Sequence, residues 1–344
     1  MTAFRRLSER LFDRFPAAAP LPMQPTAATV SHSIPRPGRR LRNAWALAAA
    51  TLLAACGGST TQFDPFVAQR VISFGDEASV ITANGRYWSV NGLKADNLTL
   101  DCSVRPIWIQ QVAGVYGFVF AGCNPNNIEV KAFTYAVAGA RVSDLAAQIN
   151  TVVAAGGFRE KDLITAFAGV NDIVDLYRQF PATGEAALVA AARERGRQMA
   201  LVVNGIVALG GRVIVSNIPD MQFSALAAVE NAANPGSDRA ALLGRMSRAF
   251  NEQLGVSVLL DGRFVGLAQL DLTIQAMGRS PASFGLVDIS TPICIVALPE
   301  CTTATLRPFT DANTYLWADE TRMSSAGQNQ LGSLAADRAR RNPF

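Results

Sequence analysis

Residues 71–79 read Val71-Ile72-Ser73-Phe74-Gly75-Asp76-Glu77-Ala78-Ser79. A short apolar run that stops at Gly-Asp is the pattern of a buried strand entering a turn. The same pattern recurs at Asp162 to Ala168, which ends in Gly169-Val170-Asn171-Asp172. Val130 to Val137, Arg212 to Asn217 and Phe264 to Leu270 are further predicted strands. Between them, Val142 to Ala155, Glu185 to Leu209 and Asp238 to Leu254 have helical spacing and strong helix formers. Ser324 to Arg340 is a last helix, with Ser324 or Ser325 as its N-cap. Strands that alternate with helices imply a parallel sheet covered on both faces. In such sheets the functional crevice lies beyond the carboxyl ends of the strands. Gly75-Asp76-Glu77, Gly139 and Asn171-Asp172 should therefore converge on one edge. The Gly/Asn-rich stretch Asn84 to Asn126, with an amphipathic piece at Ile107 to Tyr116, reads as an insertion on this core. No internal repeat and no second folded domain is visible.

The N-terminus reads as a leader. Arg39, Arg40 and Arg42 precede the apolar run Asn43 to Ala55, and Leu53-Ala54-Ala55-Cys56 is followed by Gly57-Gly58-Ser59. A basic segment, a short apolar run and small residues before a cysteine resemble a bacterial lipoprotein signal peptide, with Cys56 the lipidated first residue of the mature chain. Gly57 rather than Asp after the cysteine resembles an outer-membrane address, on the periplasmic or surface face. The alternatives are a single-pass anchor, for which the run is short, or a plain cleaved signal. Met23 is an alternative start. The expected organisation is a leader over 1–55, a tether over 56–70 and one domain over 71–344.

Removing the leader changes the composition. Residues 1–55 hold eight of the 31 basic and two of the 27 acidic residues, so the remainder has 23 basic, 25 acidic and a net charge of −2. That balance gives no electrostatic support for nucleic-acid binding. The single histidine, His32, lies in the leader. Cys102, Cys123, Cys294 and Cys301 remain, an even number suited to an oxidising compartment. Three pairings are open to them, and Cys102–Cys123 with Cys294–Cys301 is favoured because each closes a local loop. No cysteine or histidine cluster suggests a metal site, and no cofactor motif is present.

Four blocks in order carry a resemblance. They are Phe74-Gly75-Asp76-Glu77-Ala78-Ser79, Ala136-Val137-Ala138-Gly139-Ala140, Gly169-Val170-Asn171-Asp172 and Trp317-Ala318-Asp319-Glu320-Thr321-Arg322. From about Val71 to Ala335 the chain resembles the SGNH/GDSL hydrolases, a family of esterases and lipases. The resemblance implies a three-layer α/β/α, flavodoxin-like fold with a parallel sheet. It implies that Gly139 and Asn171 serve an oxyanion hole and that Asp319 is the family's catalytic acid. It also shows two departures: Glu77 stands where the family has its nucleophilic serine, and Arg322 where it has its histidine.

Acyl transfer of this kind needs a hydroxyl nucleophile, a base that titrates near neutrality and donors aimed at the oxyanion. Glu77 has no hydroxyl, and Arg322 stays protonated at any working pH. Ser79 is a candidate displaced nucleophile, or else a turn-capping serine. Glu77, Arg322 and Asp319 are expected to form a charge cluster in the old site. The leading expectation is a catalytically impaired pseudoenzyme of the envelope that binds a small ester, acylated or carbohydrate ligand. The alternatives are an ester hydrolase with non-standard residues, using Ser79 or a carboxylate-activated water, and a structural lipoprotein without a ligand. Trp88, Trp108 and Trp317 could line a cleft for sugars but read more simply as core or rim. Arg193, Arg195 and Arg197 read as a solvated helix surface.

The lipobox leads to a direct test. The exported protein should begin at an acylated Cys56, and Cys56→Ala should leave an unprocessed or mislocalised precursor. Intact mass of the exported chain checks both, and an unacylated N-terminus elsewhere would exclude the reading.

Overall fold

The computed structural model describes residues 66–344. The leader, His32 and the lipobox at Cys56 lie outside the described residues. Six strands make one sheet: β1 (Arg70–Gly75), β2 (Val119–Phe120), β3 (Val130–Thr134), β4 (Asp162–Phe167), β5 (Arg212–Ser216) and β6 (Val265–Ala268). Their order is β2-β3-β1-β4-β5-β6, and every pairing is parallel. β1 and β4 are central, in register from Arg70 opposite Asp162 to Gly75 opposite Phe167. All six residues of β4 and five of β1 are buried, which is why both read as unbroken apolar runs rather than alternating ones. Their polar members are paired. Thr165 Oγ1 donates to Ser73 Oγ at 2.8 Å, and buried Asp162 accepts from Arg70 Nε at 2.8 Å.

Eight helices are described: α1 (Trp108–Gly114), α2 (Leu145–Ala154), α3 (Val170–Tyr177), α4 (Glu185–Ala208), α5 (Ala225–Ala233), α6 (Arg239–Ser257), α7 (Leu270–Arg279) and α8 (Ser325–Arg341). α1 packs on α8 over one face of the sheet, while α2 and α4 cover the other, with α6 laid along α4. The result is the expected three-layer α/β/α architecture with a parallel sheet. Ser324 is the N-cap of α8, accepting from Ala326 N. The disulfides are Cys102–Cys123 and Cys294–Cys301, with Cα atoms 5.7 and 5.8 Å apart. No described helix is long and apolar enough to cross a membrane.

Several elements differ from expectation. Residues 84–126 are not an insertion on the outside of the core. They supply α1 and the edge strand β2, and Trp108 and Ile109 are fully buried. The Gly/Asn-rich composition belongs to the turns on both sides of α1, and seven residues are too few for helix periodicity to stand out. Helices α3, α5 and α7 and the small parallel pair β7 (Asp288–Pro292) and β8 (Tyr315–Trp317) were not expected. All are short, so tertiary packing rather than local propensity decides them. β3 ends at Thr134, yet Tyr135 N and Val137 N still donate to Ser73 O and Gly75 O. The chain thus follows β1 to its end and delivers Gly139 to the sheet edge.

The α4–α6 contact is close because Gly196 faces the backbone of Phe250. A methyl group at Gly196 would collide with the Phe250 carbonyl, whereas one at Gly205 of the same helix would meet nothing within 4 Å. Both sites gain about 1 kcal/mol of helix propensity on going to alanine. At Gly196 overpacking costs about 1–3 kcal/mol. Thermal unfolding should therefore show a lower Tm for Gly196→Ala and an equal or higher one for Gly205→Ala.

Candidate functional site

The site begins at the carboxyl ends of β1 and β4. Gly75 has φ 144°, and a Cβ there would press into the Phe167 carbonyl, so the two strands close to backbone contact. Gln148 of α2 fixes this glycine from the side: Gly75 N donates to its Oε1 at 2.8 Å, and its Nε2 donates to Gly75 O at 2.9 Å. Asp76 then caps a single 3-10 turn, Glu77–Ser79, accepting from Ala78 N at 3.0 Å. After β4, Gly169 has φ 130° and lies over the ring of Phe250. That close approach starts α3 directly and puts Asn171 in its first turn.

Glu77 is the centre of what these loops assemble. Its carboxylate is almost wholly buried. Oε2 accepts from Gly139 N at 2.8 Å and from Asn171 Nδ2 at 2.9 Å. Oε1 accepts from Arg322 Nε at 2.7 Å and lies 2.6 Å from Arg322 Nη2. Asn171 Nδ2 also donates to Ala140 O at 3.1 Å, which holds its amide in place. Asp319 completes the group. Its Oδ1 accepts from Thr321 N at 2.9 Å and Arg322 N at 2.7 Å, and its Oδ2 is 3.4 Å from Arg322 Nη1. Ala318 N donates to Arg322 O at 2.8 Å, closing the turn that aims Arg322 inward. The five residues singled out by the sequence thus meet at one point.

The electrostatics follow from this geometry. Burial pushes the Glu77 carboxyl up, but Arg322 and the N–H donors of Asn171 and Gly139 outweigh it and hold the group below the usual carboxylate range. Burial disfavours the charged Arg322 guanidinium, yet Glu77 and Asp319 keep it above its ordinary value. Asp76 is the opposite case. Burial, with the Glu77 charge beside it, pushes its carboxyl well up. Asp172 is also pushed up by burial, despite accepting from Val142 N at 3.0 Å.

Other expectations resolve separately. Ser79 is fully buried, and its Oγ accepts from Trp108 Nε1 at 3.2 Å, so its hydroxyl sits inside the core rather than in a cleft. It does not cap the turn, a role that Asp76 fills. Trp108 and Trp317 are core residues. Trp88 is half-buried and lines a cavity of about 20 Å³ beneath Glu77 and Arg322, with Asp76, Phe167 and Gln328. Arg193 and Arg197 are exposed as expected, and Arg195, its side chain 40% exposed, brings its Nε to 3.5 Å from buried Asp172 Oδ1. Gln148 carried no signal in the sequence, because a lone glutamine in a helix reads as surface.

Two open clefts lie beside the residues that hold Glu77. One, of about 350 Å³, runs past Tyr135, Val137, Gly139, Asp144 and Thr151. The other, of about 320 Å³, is bounded by Asn171, Asp175, Arg178, Asp319, Glu320 and Arg322. Among the described residues no cluster of histidine, cysteine and carboxylate side chains suits a metal ion.

No protein-family model and no curated relative matches the sequence. Similar solved structures include the lipase Lip_vut3 from a goat rumen metagenome, with 14% identity, TM-score 0.47 and coverage of 80% of this chain and 99% of that one. The acetylxylan esterase Axe2 of Geobacillus stearothermophilus has 12% identity, TM-score 0.43 and coverage of 80% and 96%. A member of the lipolytic protein G-D-S-L family from Veillonella parvula has 12% identity, TM-score 0.41 and coverage of 78% and 96%.

Glu77 and Asp76 should shift stability in opposite senses. The lowered value of Glu77 contributes stability that is present above its unfolded value and lost as pH falls through the folded one. The raised value of Asp76 contributes stability that is present below its unfolded value and lost as pH rises through the folded one. At pH 7, Glu77→Gln should destabilise by about 1–3 kcal/mol, since it leaves the Arg322 charge half-buried with one fewer partner. Asp76→Asn should be neutral or stabilising at the same pH. Denaturant unfolding between pH 3 and 8 measures both.

Proposed function

We propose that this chain is a catalytically impaired relative of the SGNH/GDSL esterases and lipases. In this reading it is a lipid-anchored protein of the cell envelope that binds rather than hydrolyses. One observation carries the proposal: Glu77 Oε2 lies on the two donors, Gly139 N and Asn171 Nδ2, that in the resembled family would receive a substrate oxyanion. A buried anion already fills that place, and Arg322 neutralises it from the other side. Stabilisation of a transition-state oxygen requires those donors to be free and aimed at a vacant position. Here they are committed in the ground state.

The non-standard hydrolase is less well supported. Ser79 is enclosed and hydrogen-bonded to an indole, and Arg322 cannot accept a proton. Binding is favoured over a purely structural role by the two clefts, one lined by Gly139 and the other by Asn171, Asp319 and Arg322, which expose both charged and apolar walls. Their size and mixed lining suit a small ester, an acylated compound or a carbohydrate. Two disulfides fit an exported protein, and the lipobox-like Leu53-Ala54-Ala55-Cys56 supports an anchor at Cys56.

The purified mature protein should not turn over short-chain nitrophenyl esters. Glu77→Ser supplies a hydroxyl without a base, and Arg322→His supplies a base without a nucleophile. Neither single variant should be active. The double variant frees Gly139 N and Asn171 Nδ2, sets a histidine beside Asp319, and should regain measurable turnover. A cycle of wild type, both singles and the double reads their coupling. Robust wild-type hydrolysis that Ser79→Ala abolishes would instead establish the non-standard enzyme.

A further inference from the structure

All six strands are parallel, so all six begin at the edge opposite the site. The chemistry there is different. Val67, Leu209, Val256, Leu259 and Leu260 lie at or just before strand starts or at the ends of α4 and α6, and each is between 50 and 78% exposed. These segments form one continuous edge. Gln69 N donates to Lys161 O at 2.8 Å, and Val213 N to Phe264 O at 2.7 Å. Arg212 lies over the ring of Phe66 at 5.0 Å and donates to Glu160 O. Leu259 N donates to Asn204 Oδ1 of α4 at 2.9 Å, and Asn342 Nδ2 to Gly262 O at 3.1 Å. Phe66 meets Phe344 edge to face at 5.6 Å.

Charge on this edge is one-sided. Arg70, Lys131, Arg263 and Arg341 are matched by Asp162, Glu129, Asp261 and Asp337. Arg159, Lys161 and Arg340 are exposed and have no ion-pair partner among the described residues, against one such acid, Glu160. The chain after residue 55 is net acidic at −2, so a surplus of cations here is not the general composition of the surface. A cavity of about 590 Å³ opens on the same edge between Val67, Arg70, Tyr116, Phe118, Lys131 and Arg159. The described chain also enters here. Cys56 stands ten residues before Phe66, a reach of at most about 36 Å when fully extended.

We propose that this edge docks on an anionic membrane surface, with the exposed leucines and valines in the interface and the unpaired cations against lipid phosphates. Exposed apolar side chains rimmed by unpaired cations, at the end where a lipid anchor would attach, match what an anionic bilayer offers. One acyl-bearing anchor and a basic face together hold a protein far better than either alone. Docking in this way would turn the Glu77 site outward, away from the bilayer. The inference rests on the lipoprotein reading only for the tether, since the face itself requires no acylation.

The test uses the exported chain on vesicles of phosphatidylcholine with and without added phosphatidylglycerol, followed by amide hydrogen exchange. Amides of residues 159–161, 209–212 and 257–264 should exchange several-fold more slowly on the anionic vesicles, and high salt should reverse the effect. Amides near Gly139 and Asn171 should not change. Arg159→Glu with Lys161→Glu, and separately Leu259→Ser with Leu260→Ser, should remove the protection without lowering Tm. Equal exchange on both vesicle types would overturn the proposal, as would protection on the site edge or persistence in the charge-reversed variant. Concentration-dependent protection without vesicles would assign the face to a second copy of the chain instead. Intact mass of the same sample reports acylation of Cys56 independently. An unacylated chain should still sediment with anionic vesicles, and failure to do so would overturn the face while leaving the site reading untouched.

Discussion

The parallel pairing of β1 with β4, closed at Gly75 against the Phe167 carbonyl, is the constraint on which the site depends. A side chain at position 75 would push the two strand ends apart. With glycine there, the loop after β1 and the loop after β4 leave the sheet side by side, and Glu77 and Asn171 come within hydrogen-bond distance. Gln148 braces the same glycine through both of its amide atoms, so α2 is tied to the sheet at the point where the site begins. Phe250 extends this constraint outward. Its backbone meets Gly196 of α4 and its ring lies under Gly169. The depth of the α4–α6 contact therefore bears on the start of α3.

Within that frame Glu77 and Arg322 fit each other. A carboxylate at position 77 would be costly to bury alone. It is acceptable because four N–H donors from three elements converge on it and one group carries a full positive charge. The cost reappears nearby, where the Asp76 carboxyl is pushed well up by burial beside Glu77. Such a cluster is not a strong source of net stability, because desolvation offsets much of the attraction. It does fix one arrangement of the loops, since removing any member leaves a buried polar group without its partner.

The sheet has two chemically distinct ends. At its carboxyl edge, charge is gathered inward and neutralised around Glu77. At its amino edge, Arg159, Lys161 and Arg340 and several large apolar side chains remain exposed. Parallel strands impose this separation, because every strand start lies on one side and every strand end on the other. The same topology that collects the site residues therefore collects the opposite surface as well.

The sequence by itself determined the alternation of buried strands and amphipathic helices, and with it the layered parallel sheet. It also marked Glu77, Gly139 and Asn171, because these stand in short blocks directly after predicted strands, and Asp319 and Arg322, because their block resembles the one that precedes the last helix in the SGNH/GDSL hydrolases. The local disulfide loops were legible for the same reason: close spacing leaves few pairings that need no long closure. Only the tertiary structure decided what depends on distant chain segments. The role of Gln148, the pairing of Arg195 with buried Asp172, the burial of Ser79 against Trp108 and the incorporation of residues 84–126 into the core rest on contacts between segments far apart in sequence. A short helix such as α1 or α3 has too few residues for its pattern to reveal the face it buries. Whether a serine or arginine points to water or to a partner is fixed by what packs against it, which no local spacing records.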